Sequence, residues 1–182
     1  EKGSENAAIY GETVGGLEDN ELFAIIDTNA SLPVLLVTSQ VYNDGLGNQA
    51  ALNCDVYYLI DKEVKNIGTI ESMGTAYPIA YDETGIYAAS GHDMQRFEIE
   101  KSGLIRLAEG IYEQFDKSGN AAYTMKKGDE TKVITEEEYY ALAKEIAETY
   151  TYYPHPMYDL LNLIKSHLTS TTYSTSFTLL QT

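Results

Sequence analysis

Three short stretches decide how this chain is read: Tyr81-Asp82-Glu83-Thr84-Gly85-Ile86, Ile99-Glu100-Lys101-Ser102-Gly103-Leu104 and Phe115-Asp116-Lys117-Ser118-Gly119-Asn120. In each, an apolar residue is followed by an acid, a second charged residue, a small hydroxyl residue and a glycine. The first acids recur at 82, 100 and 116, spacings of 18 and 16 residues. A glycine closing such a turn supplies the left-handed backbone of a bulged hairpin, and the acid accepts backbone N–H groups across the turn. The segments between then read as strands: Ile86 to Ala89, Met94 to Ile99, Leu104 to Leu107, Ile111 to Phe115 and Ala121 to Lys126. Hairpins at this spacing predict an antiparallel meander, either a curved sheet or propeller-like blades.

Upstream, the reading is also β. Leu22 to Asp27 and Pro33 to Ser39 are short apolar runs around a polar turn, the pattern of two buried strands of a hairpin. Asn43 to Gln49 is a loop by its Asn, Asp and Gly content. Cys54 to Ile60 and Val64 to Ile70 flank Asp61-Lys62-Glu63 and predict a second hairpin. Downstream the class changes at Thr135-Glu136-Glu137-Glu138, where a capping box and three acids suit a helix start. Tyr139, Leu142, Ala143, Ile146 and Tyr150 then make one apolar stripe at helical spacing. A second helix is expected over 156–168, after Pro154-His155-Pro156, and 169–182 reads as an edge strand, with Tyr173, Thr175, Phe177 and Leu179 on one face, or as disorder. The expected fold is therefore α+β, mainly β: an antiparallel meander followed by two C-terminal helices. One domain is expected over 21–182, preceded by a polar lead, 1–20.

Composition narrows the function by exclusion. The 182 residues carry 28 acidic and 12 basic side chains, a formal charge of −16. That charge opposes binding to a nucleic-acid backbone or an anionic membrane surface, both of which are read by Lys and Arg. No run approaches the roughly 20 apolar residues that cross a bilayer. Glu1 to Asn6 is polar, with no basic segment leading into an apolar run, and is the kind of start left when an export signal or a lipid-anchored Cys is removed.

Candidate chemistry is sparse. His155 and His167 lie twelve residues apart, about 18 Å along a helix, too far to share a metal there. His92 and Asp93 are neighbours on a strand and point to opposite faces. Cys54, the single cysteine, opens an apolar strand and reads as a small buried hydrophobe. No nucleophile elbow, phosphate-cradling loop or zinc helix is present, so neither a cofactor nor catalysis is expected. Asp27-Thr28-Asn29-Ala30-Ser31 offers oxygens at alternate positions, as a calcium loop does, making Asp27, Asn29 and Ser31 the candidate metal ligands. Tyrosine occurs 16 times against four Phe and no Trp. Tyr57, Tyr58, Tyr77, Tyr81 and Tyr87 are the candidate ligand-binding rings, suited to stacking on a glycan or peptide.

The run from Phe23 to Val37, an apolar strand, an Asp-led turn and a second strand, resembles a pattern in secreted, lipid-anchored proteins of Gram-positive bacteria and is similar to the calcium-loop hairpins of FG-GAP and VCBS-type β-propeller repeats. Val56 to Leu59 with Val64 to Gly68 looks like the next hairpin of such proteins, and the helix start at Thr135 resembles their C-terminal region. Here Asn29 and Ser31 stand where those proteins have acids, Ala30 replaces a Gly, Val34 replaces a Glu, and one residue is missing. These departures remove most of the charge a calcium site needs. The resemblance implies a non-catalytic extracellular or cell-surface lipoprotein domain that binds or scaffolds. The alternative is a glycan hydrolase with two carboxylates about 5 Å or 6.5–9.5 Å apart, although nothing in the sequence marks one pair among the acids.

Overall fold

A computed structural model describes residues 2–43 and 49–152. The chain runs α1 (Lys2–Gly15), β1 (Leu22–Ile26), β2 (Val34–Thr38), β3 (Val41–Asn43), β4 (Gln49–Ala51), β5 (Asn53–Ile60) and β6 (Glu63–Glu71). It continues through β7 (Ala80–Asp82), β8 (Gly85–Ala89), β9 (Asp93–Ile99), β10 (Ile105–Phe115), β11 (Ala121–Lys127), β12 (Glu130–Ile134) and α2 (Glu136–Tyr152). The fold is mainly antiparallel β, in open sheets. One sheet has the order β1-β2-β5-β6, a second is an uninterrupted meander from β7 to β12, and β3 and β4 pair as a small ribbon. Both expected upstream hairpins are present, as β1/β2 and β5/β6. The expected helix over 156–168 and the segment 169–182 lie outside the described residues.

Strand alternation sends successive side chains to opposite faces, and it orders the layers here. From β2, Val34 and Leu36 join Ala24, Ile26, Cys54, Val56 and Tyr58 against Ile86, Ala88 and Ile99 of the meander, forming the core between the two sheets. The intervening Leu35 and Val37 turn the other way and pack with Phe23 against Tyr10 of α1. On the far side of the meander, Ala89, Met94, Ile111 and Ile134 pack against Tyr139 of α2. The layers are therefore α1, four-stranded sheet, six-stranded sheet, α2. The expected polar lead over 1–20 is instead largely α1, whose Ile9, Tyr10 and Val14, with Leu17 beyond its end, cover the first sheet. The Tyr10 hydroxyl donates to the Pro33 carbonyl at 2.6 Å, fixing the helix over the β1–β2 hairpin.

Two of the three motif turns share one backbone. Gly103 N–H donates to Glu100 O and Glu100 N–H to Leu104 O, as Gly119 does to Asp116 and Asp116 to Asn120. Gly103 and Gly119 have φ of 81° and 82°, the left-handed conformation the pattern calls for. The first turn differs: Glu83-Thr84 is a two-residue loop, and Gly85 already pairs with Asp82 in the sheet. Its glycine serves close approach, since a Cβ there would run into the Phe97 carbonyl of β9. The meander also departs in one place from the expected strand divisions. The strands expected from Leu104 to Leu107 and from Ile111 to Phe115 fall in one strand, β10, which starts at Ile105 and has a bulge between Leu107 and Glu109. The capping box forms as read: Glu138 N–H donates to Thr135 Oγ1 at 3.1 Å and Thr135 N–H to Glu138 Oε2 at 2.8 Å.

The two left-handed glycines separate strain from space. At Gly119 a Cβ meets nothing, whereas at Gly103 it would overlap Ile60 of the other sheet. Gly119→Ala is expected to cost about 1 kcal/mol of backbone strain in urea unfolding. Gly103→Ala is expected to cost about 1–3 kcal/mol more, the usual range for overpacking; equal losses would show that Ile60 yields freely.

Candidate functional site

The structure does not gather the five expected tyrosines on one surface. Tyr57 and Tyr58 are neighbours on β5 and face opposite ways. Tyr58 is 2% exposed and belongs to the inter-sheet core, so no ligand can stack on it. Tyr57 packs with the α1 cluster, and Tyr81 packs against the inter-sheet core, where burial raises its phenol pKa. Tyr77 lies against the α2 cluster. Tyr87 is also on the α2 side, in a polar knot where its hydroxyl donates to Asp82 Oδ2 at 3.0 Å and lies 2.8 Å from Thr84 Oγ1. Tyrosine serves here mainly as a core side chain with a polar tip.

The Asp27–Ser31 turn is used for something other than charge. Ile99 N–H donates to Asn29 Oδ1 at 3.3 Å, and Asn29 Nδ2 donates to Ile99 O at 3.5 Å. This amide therefore ties the β1–β2 turn to the end of β9, 70 residues on, across the sandwich. Asp27 and Ser31 are exposed. Among the described residues no group of three His, Cys, Asp or Glu side chains is placed to hold a metal. Cys54 is buried, and burial pushes its thiol up to about 12, which makes it unreactive.

Chemical variety collects instead on the α2 face of the six-stranded sheet. At one end, Glu113 accepts from the Tyr123 hydroxyl at 3.2 Å and lies 2.7 Å from His92 Nδ1. Tyr123, Tyr139 and Tyr140 pack ring on ring, with centroids 5.1–6.4 Å apart, and His92 meets Phe115 edge-on at 5.4 Å. Desolvation first, then the Glu136 and Glu113 carboxylates, push the Tyr123 phenol up to about 12, so it stays a hydrogen-bond donor. Tyr140 and Phe115 are each 54% exposed. Sequence reasoning missed this group. The partner of His92 comes from the pairing of β9 with β10, where Asp93 faces Tyr112, and not from the adjacent Asp93.

Further along the same face, both arginines of the chain are held by carboxylates. Glu98 bridges them: Arg96 Nη1 donates to its Oε1 at 2.7 Å and Arg106 Nη2 to its Oε2 at 2.9 Å. Arg106 also approaches Glu100 at 3.4 Å, and Arg96 approaches Glu109 at 3.9 Å. Between this network and α2 lies an open cleft of about 200 Å³, lined by Tyr87, Arg96, Glu109, Ile111, Leu142, Glu145 and Ile146 among others. No described helix is long and apolar enough to cross a membrane. Comparison with protein families, with curated proteins and with solved structures finds no match to this chain.

Three measurements follow from these contacts. The Arg96 hydrogen bond, before all other causes, holds the Glu98 carboxyl below its ordinary value of 4.5. Its pairing therefore stabilises the fold above that pH and is lost as pH falls through the lower folded value. Glu98→Gln is expected to flatten the loss of stability on acidification, read by urea unfolding between neutral pH and pH about 3. Asn29→Ala removes two hydrogen bonds and is expected to cost about 1–2 kcal/mol. The melting temperature of the native chain should be the same in calcium and in EDTA, and a calcium-dependent rise would restore Asp27, Asn29 and Ser31 as a metal loop.

Proposed function

We propose that this chain is a non-catalytic binding domain of an extracellular or cell-surface lipoprotein, and that its ligand, a peptide or a glycan, docks on the outer face of the six-stranded sheet alongside α2. One observation carries the reading: that face combines exposed rings (Tyr140, Phe115 and His92) near the start of the helix with an open cleft beside its middle, at Leu142 to Ile146. Exposed aromatic surface next to fixed polar groups suits recognition of a polar ligand. Every carboxylate whose side-chain burial is described reaches solvent, and Glu98 and Glu113 are bound to Arg96 and Arg106 and to His92 and Tyr123 respectively. The acidic composition and the resemblance of the β1–β2 hairpin to lipid-anchored surface proteins support the location.

The reading is tested by titrating the chain with short peptides and oligosaccharides while following backbone amide signals by NMR. Saturable shifts are expected on the α2 face, weakened about tenfold or more by Tyr140→Ala together with Phe115→Ala if those rings are the anchors. Oligosaccharide cleavage by the native chain that disappears in Glu109→Gln would replace the binding reading with the hydrolase.

A further inference from the structure

We propose that the cleft between α2 and the six-stranded sheet is the seat of the chain's own segment 157–168, which lies outside the described residues and returns alongside α2. This goes beyond the binding reading and does not depend on it. α2 rests on β10 and β11. A helix with its side chains is about 10 Å across and strands lie about 4.8 Å apart, so one helix covers roughly two strands. The faces of β8 and β9 beside α2 therefore have the width for a second helix, at the usual spacing of about 8–10 Å between axes. There Tyr87 of β8 and Arg96 of β9 enter the lining of the cleft, with Leu142 and Ile146 of α2 opposite. Leu142 and Ile146 are half-buried against the sheet, and the apolar surface left to them faces the cleft.

Chain geometry carries the segment to that place. α2 ends at Tyr152, and Pro154-His155-Pro156 follows at once. Proline cannot continue a helix and disfavours helical backbone at the residue before it. Helices joined across so short a break are antiparallel neighbours. Met157, Leu160, Leu161, Ile164 and Leu168 recur at helical spacing, while Asp159, Asn162 and Ser166 fall on the opposite side. A helix of this length is marginal in water unless such a stripe is buried. Counted back along α2 from Tyr152 at the same rise, about 1.5 Å per residue, Ile164 comes level with Glu145 and Ile146, and Leu168 with Leu142. Those are the α2 residues of the cleft. The stripe needs apolar cover, the cleft offers it, and the connection is too short to carry the segment far from α2. A ligand then reaches the rings near the start of α2 directly, and the cleft only by displacing this segment.

The test labels the isoleucine and leucine methyl groups of the full chain and reads their NOE contacts by NMR. Contacts are expected from Ile164 to Ile146 and from Leu168 to Leu142, and isotope-filtered spectra of mixed labelled and unlabelled chains should lack them. Ile164→Asp is expected to abolish these contacts, to shift the Ile111, Leu142 and Ile146 methyls, and to lower the melting temperature by about 3–8 °C. Asn162→Asp adds the same charge on the opposite side of the segment and should leave all three readings unchanged. A native chain without contacts between the 157–168 methyls and those of Ile111, Leu142 or Ile146 would overturn the proposal. The same contacts made between chains would overturn it too and give the cleft to a second copy. So would an Asn162→Asp variant that moves the cleft methyls as far as Ile164→Asp does. None of these results alters the ligand titration at Tyr140 and Phe115, which decides the binding reading by itself.

Discussion

The structure depends on β2 being buried on both faces. All five of its residues, Val34 to Thr38, are enclosed, so consecutive side chains must find apolar partners on opposite sides. Val34 and Leu36 find theirs in the second sheet, and Leu35 and Val37 find theirs in α1. Each fully buried Val or Leu contributes roughly 1.5–3 kcal/mol. A lone sheet covered on one face would forfeit half of that, which is why four layers are assembled. The same logic runs outward through the meander. Ile86 and Ala88 face the first sheet while Ala89 and Met94 need a cover, and α2 provides it.

What the sequence discloses follows from how locally each element is determined. The β1/β2 and β5/β6 hairpins and the α2 cap are encoded within a few residues of themselves, as apolar runs, turn residues and Thr135 with Glu138. The glycine pattern marks the meander for the same reason, since φ near 80° at Gly103 and Gly119 is a demand on a single residue. Elements whose stability comes from elsewhere leave a weaker trace. In α1, Ile9, Tyr10 and Val14 lie among glycines and polar residues, and the helix is worth forming only because Phe23, Leu35 and Val37 wait beneath it. Edge strand β12 has one buried residue, Ile134, and a Val133 that faces solvent, so it carries little periodic signal. The bulge in β10 interrupts alternation at Ala108 and makes one strand read as two.

The candidate site was less legible, because its members meet only through register. Tyr57 and Tyr58 look like a pair in sequence and end on opposite faces of one sheet. His92 and Glu113, 21 positions apart, become neighbours only once β9 and β10 are aligned. Asn29 shows the converse: a residue that looks like a weakened metal ligand has both amide atoms engaged by the Ile99 backbone.

Charge joins the fold to the site. A chain at −16 is destabilised by self-repulsion unless its acids are dispersed or given donors, and many here have local ones. Asp82 accepts the Thr84 and Gly85 amides, Asp116 those of Ser118 and Asn120, and Glu138 that of Thr135. These contacts spend the turn acids on backbone geometry. The two arginines are placed differently, both on the α2 face, and both are neutralised there by Glu98 and its neighbours. The positive charge nearest the cleft is thus balanced within the network, while Glu109 is held only loosely by it at 3.9 Å. Fixing both arginines on Glu98 ties β9 to β10 and satisfies the chain's two guanidinium groups within the sheet.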